Sequence, residues 1–279
     1  MSYAQPSAPP PKYEMGGGNI SKGEKVEKLL EKYEIHPFFS EKLSILDDFE
    51  IVCIIDDSGS MKTPLNDHTG HATRWDELKN IINTVMDIAL TFDDDGVDLH
   101  FLNRGTFMNV TNHDILNEHL KPIPYGRTPL TRVANQVFDQ YAHNPKKVLV
   151  LIATDGVPTN QQGYPDLKAF EECIRKRDTN KFYVSFLACS DNDDEIGYLN
   201  TMDSVPHVDI LDDYYSEKKQ ILKIQGNKFP YSLQDHIVRL ILGPIYSEFD
   251  DLDEKPIHKS IVSHERKQDG TGGCTCIII

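Results

Sequence analysis

Short apolar runs alternate with longer amphipathic stretches through the middle of the chain. Residues 51–55 are continuously apolar, which is typical of a strand buried on both faces of a sheet. Residues 75–90 instead carry apolar side chains at spacings of three and four, which predicts a helix with one buried face. The same two patterns predict strands at 97–102, 148–153, 182–188 and 208–211, and helices at 130–141, 167–174, 196–202 and 233–242.

The order of these elements predicts the fold class. Strands that alternate with helices form parallel sheets, because each crossover helix packs on one face of the sheet. We therefore expect an α/β fold with a doubly wound, mostly parallel open sheet that is flanked by helices on both faces.

The expected domain spans residues 45–245, and the segments on either side differ from it in composition. Residues 1–20 are rich in Pro, Gly and Ser. They bury too little apolar surface to offset the entropy of ordering, which predicts a disordered tail. A charged helical pattern begins at Ser21 and predicts a helical extension over 21–44. Residues 246–279 become polar and Gly-rich, which predicts a flexible C-terminal tail.

Composition narrows the classes of function and the compartment. The chain has 29 Lys and Arg against 44 Asp and Glu, a net charge of −15, which disfavours nucleic-acid binding. The longest apolar runs are strand-length, far below the ~20 residues that span a bilayer, and no secretory signal precedes them. Cys53, Cys173 and Cys189 lie in apolar or helical patterns and are expected to be buried, reduced thiols. We expect a cytoplasmic protein.

Oxygen-bearing side chains follow two of the predicted strands. Asp56, Ser58 and Ser60 come directly after the strand at 51–55, and Asp155 follows the strand at 148–153. Thr128 lies just before the helix at 130–141. In open α/β sheets the ligand site lies beyond the carboxyl ends of the strands. Carboxylates and hydroxyls without thiols or imidazoles favour a hard cation, Mg²⁺ or Mn²⁺, over zinc.

Together these segments resemble the von Willebrand factor A-type domain family. The matching positions are the Asp-x-Ser-x-Ser motif at Asp56, Ser58 and Ser60, then Thr128 at a helix start, then Asp155 before a glycine. The resemblance covers roughly residues 45–245. It implies a Rossmann-like fold with a metal-ion-dependent adhesion site, in which the two serines and Thr128 ligate the cation directly. It also implies that Asp56 and Asp155 hold the metal largely through water, and that a carboxylate of a partner takes the vacant position.

The resemblance implies a protein-interaction module rather than an enzyme. Its cation would coordinate an acidic group of a partner protein. Two alternatives stay open: a magnesium-dependent phosphate-ester hydrolase with Asp57 or Asp155 as the base, and a scaffold whose metal is purely structural. A haloacid-dehalogenase-type phosphatase needs a second Asp where Ser58 stands, and neither a P-loop nor a serine-hydrolase elbow is present.

The loop at 62–74 is longer than a strand-to-helix connection needs. We expect it to lie beside the metal and to influence partner choice. It contains His68 and His71, which invite the idea of a second metal, although exposed loop histidines are the favoured interpretation.

The final four residues, beginning at Cys276, resemble the C-a-a-X box of prenylated proteins. The aliphatic Ile279 favours a geranylgeranyl over a farnesyl group. Because one lipid chain anchors a protein only marginally, Cys274 is a candidate for a second, palmitoyl group. These residues predict peripheral association with the cytoplasmic face of a membrane.

Overall fold

The computed structural model describes residues 21–65, 72–93, 95–190 and 192–256. Within these residues, six strands form one sheet in the order β3-β2-β1-β4-β5-β6. The strands are β1 Phe49–Ile55, β2 Val97–Phe101, β3 Gly105–Val110, β4 Lys147–Thr154, β5 Phe182–Ala188 and β6 Val208–Leu211. Only the β2–β3 pair of this sheet is antiparallel. The predicted α/β class with a mostly parallel sheet is confirmed.

Helices cover both faces of the sheet. The α-helices are α1 Lys22–Tyr33, α2 Pro37–Ser40, α3 Arg74–Phe92, α4 His113–Leu120, α5 Leu130–Tyr141, α6 Leu167–Lys176, α7 Asp193–Ile196, α8 Tyr214–Gln225 and α9 Leu233–Leu242. Short 3-10 helices lie at Leu43–Asp48, Gly59–Lys62, Gly197–Thr201 and Asp250–Leu252.

The central strand β1 contributes to two cores. Ile51, Cys53 and Ile55 belong to a cluster that includes buried residues of α3 and α9, and Val52 and Ile54 belong to a cluster with α5 and α6. Successive side chains of a strand point to opposite faces, so a continuous apolar run supplies both layers. The doubly wound arrangement follows from this burial.

Several elements differ from the sequence-based expectations. The antiparallel strand β3 and the helices α4 and α8 were not predicted. β3 is mostly exposed, so its side chains lack the apolar pattern that marks a buried strand. The predicted helix at 196–202 is instead a single α-helical turn, α7, followed by a 3-10 helix.

The segment after residue 245 requires a correction. Residues 246–279 were expected to be a flexible tail. The structure describes 246–256 of these, and there Phe249 and Leu252 are fully buried in the core. Phe249 stacks on Phe39 at 5.5 Å between ring centroids, so residues 246–256 pack against α2. Because the residues around Phe249 and Leu252 are mostly polar, the sequence pattern did not indicate that these two side chains are buried.

Several predictions concern residues outside the described ranges. These are the N-terminal tail at 1–20, the loop histidines His68 and His71, and the lipidation candidates Cys274 and Cys276. In the ranges that are described, no helix is long and apolar enough to cross a membrane. Cys53, Cys173 and Cys189 are buried and form no disulfide, as predicted.

Candidate metal site

The candidate site lies where the order of the strands reverses, between β1 and β4. These strands pair in parallel with Ile55 opposite Ala153, so their carboxyl ends deliver Asp56 and Asp155 to the same edge. The Asp56 N–H donates to the Ala153 carbonyl at 3.0 Å. Such a reversal opens a crevice at the carboxyl ends of the strands, so the backbone places both carboxylates at a ligand-binding position.

Asp56 is fully buried and accepts hydrogen bonds on both carboxylate oxygens. The Ser58 N–H donates to Oδ1 at 2.9 Å, and the Thr154 hydroxyl donates to Oδ2 at 2.7 Å. Burial raises the pKa of Asp56 to about 7, with the negative charge of Asp155 as a second cause. The site therefore concentrates negative charge that is poorly solvated.

The two serines of the motif connect Asp56 to Asp155. Ser58 Oγ and Ser60 Oγ lie 3.0 Å apart, and the Ser60 hydroxyl donates to Asp155 Oδ1 at 2.7 Å. Ser58 is buried whereas Ser60 is exposed. The site is therefore a buried oxygen cluster that opens to solvent beside Ser60.

Thr128 reaches the same cluster from a different loop. A Cβ added to Gly156 would lie 3.9 Å from Ser60 Oγ and 4.0 Å from Thr128 Oγ1, so the two hydroxyls converge on the turn after β4. Thr128 is itself fixed by Thr159, whose hydroxyl accepts from the Thr128 N–H at 3.2 Å. The structure thus brings all five sequence-predicted residues together.

A glycine and an asparagine hold the Thr128 loop against β1. Gly126 has φ of +97°, and an added Cβ would lie 2.4 Å from Asn103 Oδ1, so only glycine fits there. The Asn103 side chain donates to the Arg127 carbonyl at 2.9 Å and to Asp57 Oδ1 at 3.0 Å. The Gly59 N–H also donates to the Gly126 carbonyl at 3.2 Å.

Asp57 faces away from the oxygen cluster. The backbone N–H of Asn103 donates to its Oδ1 at 2.8 Å, and Arg104 Nε lies 3.0 Å from its Oδ2 as an ion pair without hydrogen-bond alignment. Burial raises the pKa of Asp57, while Asn103 and Arg104 act in the opposite direction. Asp57 therefore connects β1 to the segment after β2.

Arg74 is a charged neighbour of the site that the sequence interpretation missed. Its guanidinium donates to Asp155 Oδ2 at 2.9 Å and to Ser190 Oγ at 2.8 Å. It also lies 3.0 Å from Glu195 Oε2. Burial raises the pKa of Asp155, whereas the hydrogen bonds from Arg74 and Ser60 lower it.

The expectation that site residues follow the carboxyl ends of strands also finds Asn103 and Ser190, which the sequence interpretation missed, when it is applied to β2 and β5. Asn103 follows β2 and Ser190 follows β5, just as Asp56 follows β1. No comparable pattern indicates Arg74, because it is the first residue of α3 and the apolar spacing of that helix predicts only which face is buried.

A hard divalent cation fits the donor set at this edge of the sheet. The cluster combines two carboxylates with three hydroxyls and contains no thiol or imidazole, the combination that Mg²⁺ and Mn²⁺ prefer. Burial, and after it the charge of Asp155, raise the pKa of Asp56, and a bound cation would stabilise the ionised carboxylate against both. The five residues that would hold it are Asp56, Ser58, Ser60, Thr128 and Asp155.

A second acidic group lies at the opposite end of β1. Carboxylate oxygens of Glu50, Asp93 and Asp95 come within 4.8 Å of one another. Lys146 Nζ lies 2.8 Å from Asp93, and Asn144 donates to Glu50 at 3.2 Å. Protein groups therefore already compensate two of these carboxylates.

No protein-family model and no curated protein matches the sequence. Among solved structures, a point mutant of the PilB minor pilin from Streptococcus sanguinis matches at 12% identity with a TM-score of 0.48, over 74% of this chain and 60% of the pilin. The chain thus spans 60% of the length of that pilin. The SpRpn10 VWA domain matches at 10% identity with a TM-score of 0.42, over 59% of this chain and 87% of that domain. The pilus adhesin SpaC from Lactobacillus rhamnosus GG matches at 13% identity with a TM-score of 0.41, over 73% of this chain and 30% of the adhesin.

Proposed function

We propose that the chain is a von Willebrand factor A-type domain that binds Mg²⁺ or Mn²⁺ and, through it, an acidic group of a partner protein. The observation that carries the proposal is the convergence of the two serines, Thr128 and two carboxylates at the switch point of the sheet. Three separate segments of sequence supply these groups. A folding constraint alone does not require so many oxygens at one edge.

The charge balance supports partner binding. Three of the five oxygen donors are neutral hydroxyls, and Asp155 is already paired with Arg74. Such a donor set leaves the bound cation under-neutralised, so the cation supplies positive charge for an external carboxylate. Exposed Ser60 marks the side from which this group approaches.

The contacts of two aspartates favour binding over catalysis. A general base must lie within hydrogen-bond reach of the substrate proton that it removes, and the carboxylates of Asp57 and Asp155 are fully buried. Asp57 directs its oxygens to Asn103 and Arg104, and Asp155 directs its oxygens to Ser60 and Arg74. We therefore propose that the domain makes and breaks no bond of its ligand.

Metal titration tests the proposal. Wild-type protein titrated with Mg²⁺ or Mn²⁺ in a calorimeter is expected to bind about one ion, and Asp56→Ala and Thr128→Ala are each expected to weaken binding at least about tenfold. Asp139→Ala, an exposed aspartate of α5, is the matched control and should bind like wild type.

Three outcomes would contradict parts of the proposal. Equal binding by wild type and both site variants would remove the metal site. Phosphate-ester hydrolysis that disappears in Asp155→Ala would replace the binding module with the hydrolase. If the protein binds metal but a chelator does not release a partner protein captured from lysate, the metal is structural and the scaffold alternative is favoured.

The cellular setting stays a proposal as well. We propose a cytoplasmic protein that associates peripherally with a membrane through a prenyl group on Cys276, with Cys274 as the second acylation site. The supporting observation is the C-a-a-X-like sequence. The intact mass of protein from its own cell reports both modifications, and an unmodified Cys276 would contradict this proposal.

A further inference from the structure

We propose that Arg74 is a positioning residue that compensates the charge of Asp155 in the candidate metal site and thereby lowers the affinity of the site for its cation. This inference rests on the proposed function, because it concerns the same site. Its consequence is that the chain alone holds the metal loosely and that a partner carboxylate supplies the missing negative charge.

The position of Arg74 is electrostatically unfavourable in isolation. It is the first residue of α3, directly after the N-cap Thr73, and a helix N-terminus carries partial positive charge. Its side chain is also nearly inaccessible, at 9% exposure, so solvent does little to offset the cost. Carboxylates must therefore hold the guanidinium there.

Two carboxylates pair with this guanidinium through different nitrogens. Nη1 donates to Asp155 Oδ2 at 2.9 Å, and Nη2 lies 3.0 Å from Glu195 Oε2. Asp155 is fully buried, whereas the Glu195 side chain is 37% exposed. Ser190 links Arg74 to Glu195, because its hydroxyl accepts from Arg74 and donates to Glu195 at 2.5 Å.

The pairing occupies one face of Asp155 and leaves the other for the metal cluster. Oδ2 accepts from Arg74 while Oδ1 accepts from the Ser60 hydroxyl at 2.7 Å. Arg74 therefore fixes the orientation of Asp155 and, through it, the position of Ser60. It also places a unit positive charge next to residues that would hold a divalent cation, and like charges repel at this range.

The direction in which metal affinity changes when Arg74 is removed distinguishes charge compensation from a purely structural role. If Arg74 only supported the fold of the site, its removal would loosen the oxygens and weaken metal binding. If it compensates Asp155, its removal leaves an extra negative charge at the site and strengthens metal binding. Arg74→Lys keeps the charge but loses the forked donors of the guanidinium, so it serves as the charge-retaining variant.

The experiment is calorimetric titration of Mn²⁺, and separately Mg²⁺, into wild type, Arg74→Gln and Arg74→Lys. The expected result is a dissociation constant about tenfold lower for Arg74→Gln and within about threefold of wild type for Arg74→Lys. Circular dichroism of each variant checks that the fold is retained. An unchanged or weaker affinity of folded Arg74→Gln would overturn the inference.

Glu195→Gln provides an independent test should Arg74→Gln fail to fold. It removes the second carboxylate that pairs with Arg74, so Asp155 alone compensates the charge of Arg74, and metal binding is expected to weaken about threefold. Unchanged or tighter binding by Glu195→Gln would count against the inference. Absence of metal binding by wild type would instead refute the proposed function, and this inference with it.

Discussion

The two consecutive carboxylates that follow β1, Asp56 and Asp57, make different contacts. Asp56 joins the oxygen cluster through Ser58 and Thr154, whereas Asp57 turns to Asn103 and Arg104. The alternation of side chains along an extended chain separates them. One carboxylate therefore belongs to the candidate metal site, and the next one holds the surrounding loops together.

The contacts of Asp57 predict a cost in stability when its charge is removed. The Arg104 side chain is largely buried and also donates to the Pro122 carbonyl at 2.9 Å. Asp57→Asn therefore removes the charged partner of Arg104 but leaves its hydrogen bond to Pro122. We expect the free energy of unfolding in urea to fall by about 2–3 kcal/mol. Asp139→Asn should change it by less than about 0.5 kcal/mol. A loss below about 1 kcal/mol for Asp57→Asn would show that the pair is not a structural contact of this strength.

At the scale of elements, α1 is attached to the domain through α3. Leu29 of α1 is buried in the core cluster that contains α3, and Lys32 Nζ lies 2.6 Å from Asp87 of α3. The Tyr33 hydroxyl donates to the same carboxylate, and His113 lies 2.8 Å from its other oxygen. The N-terminal extension is therefore packed onto the sheet layers.

Truncating the buried residue of α1 tests this attachment. Leu29→Ala should lower the free energy of unfolding by about 2–4 kcal/mol, because it removes buried methyl groups and leaves a cavity. Glu27→Ala changes an exposed side chain of the same helix and should alter stability by less than about 0.5 kcal/mol. Equal effects of the two substitutions would contradict the packing of α1 on α3.

At the scale of the whole molecule, two buried histidines connect stability to pH. Burial lowers the pKa of His100 to about 4 and that of His236 to about 3. In the unfolded chain both should titrate near 6.5. Between pH 6.5 and about 4 the unfolded state therefore binds more protons than the folded state, so the stability from these histidines is present above pH 6.5 and declines on acidification.

Urea unfolding at a series of pH values measures this dependence. Each histidine contributes a slope of up to about 1.4 kcal/mol per pH unit in that window. His236→Gln keeps a polar partner for Tyr231 but removes one titrating group, so acidification below pH 6.5 should lower the free energy of unfolding less in this variant than in wild type. His143→Gln replaces an exposed histidine and should show the pH dependence of wild type. Identical slopes in wild type and His236→Gln would contradict the assignment.

The sequence by itself determined the sheet layers and the members of the oxygen cluster. Continuous apolar runs marked the central strands because both of their faces are buried, and spacings of three and four marked helices such as α5 and α9. Asp56 and Asp155 were accessible to the same reasoning because the carboxyl ends of parallel strands share one edge. These signals are local, because the buried positions within a strand or a helix recur with the period of that element.

Only the tertiary structure decided what surrounds that cluster. Arg74 meets Asp155 across 81 residues of sequence, and Phe249 reaches Phe39 from a segment that is polar overall. β3 gave no pattern because it is mostly exposed. Contacts between distant segments depend on how the packed layers align, and hydrophobic periodicity records that an element is buried without recording its partner. The charge of the candidate metal site is therefore a property of the fold rather than of its motif.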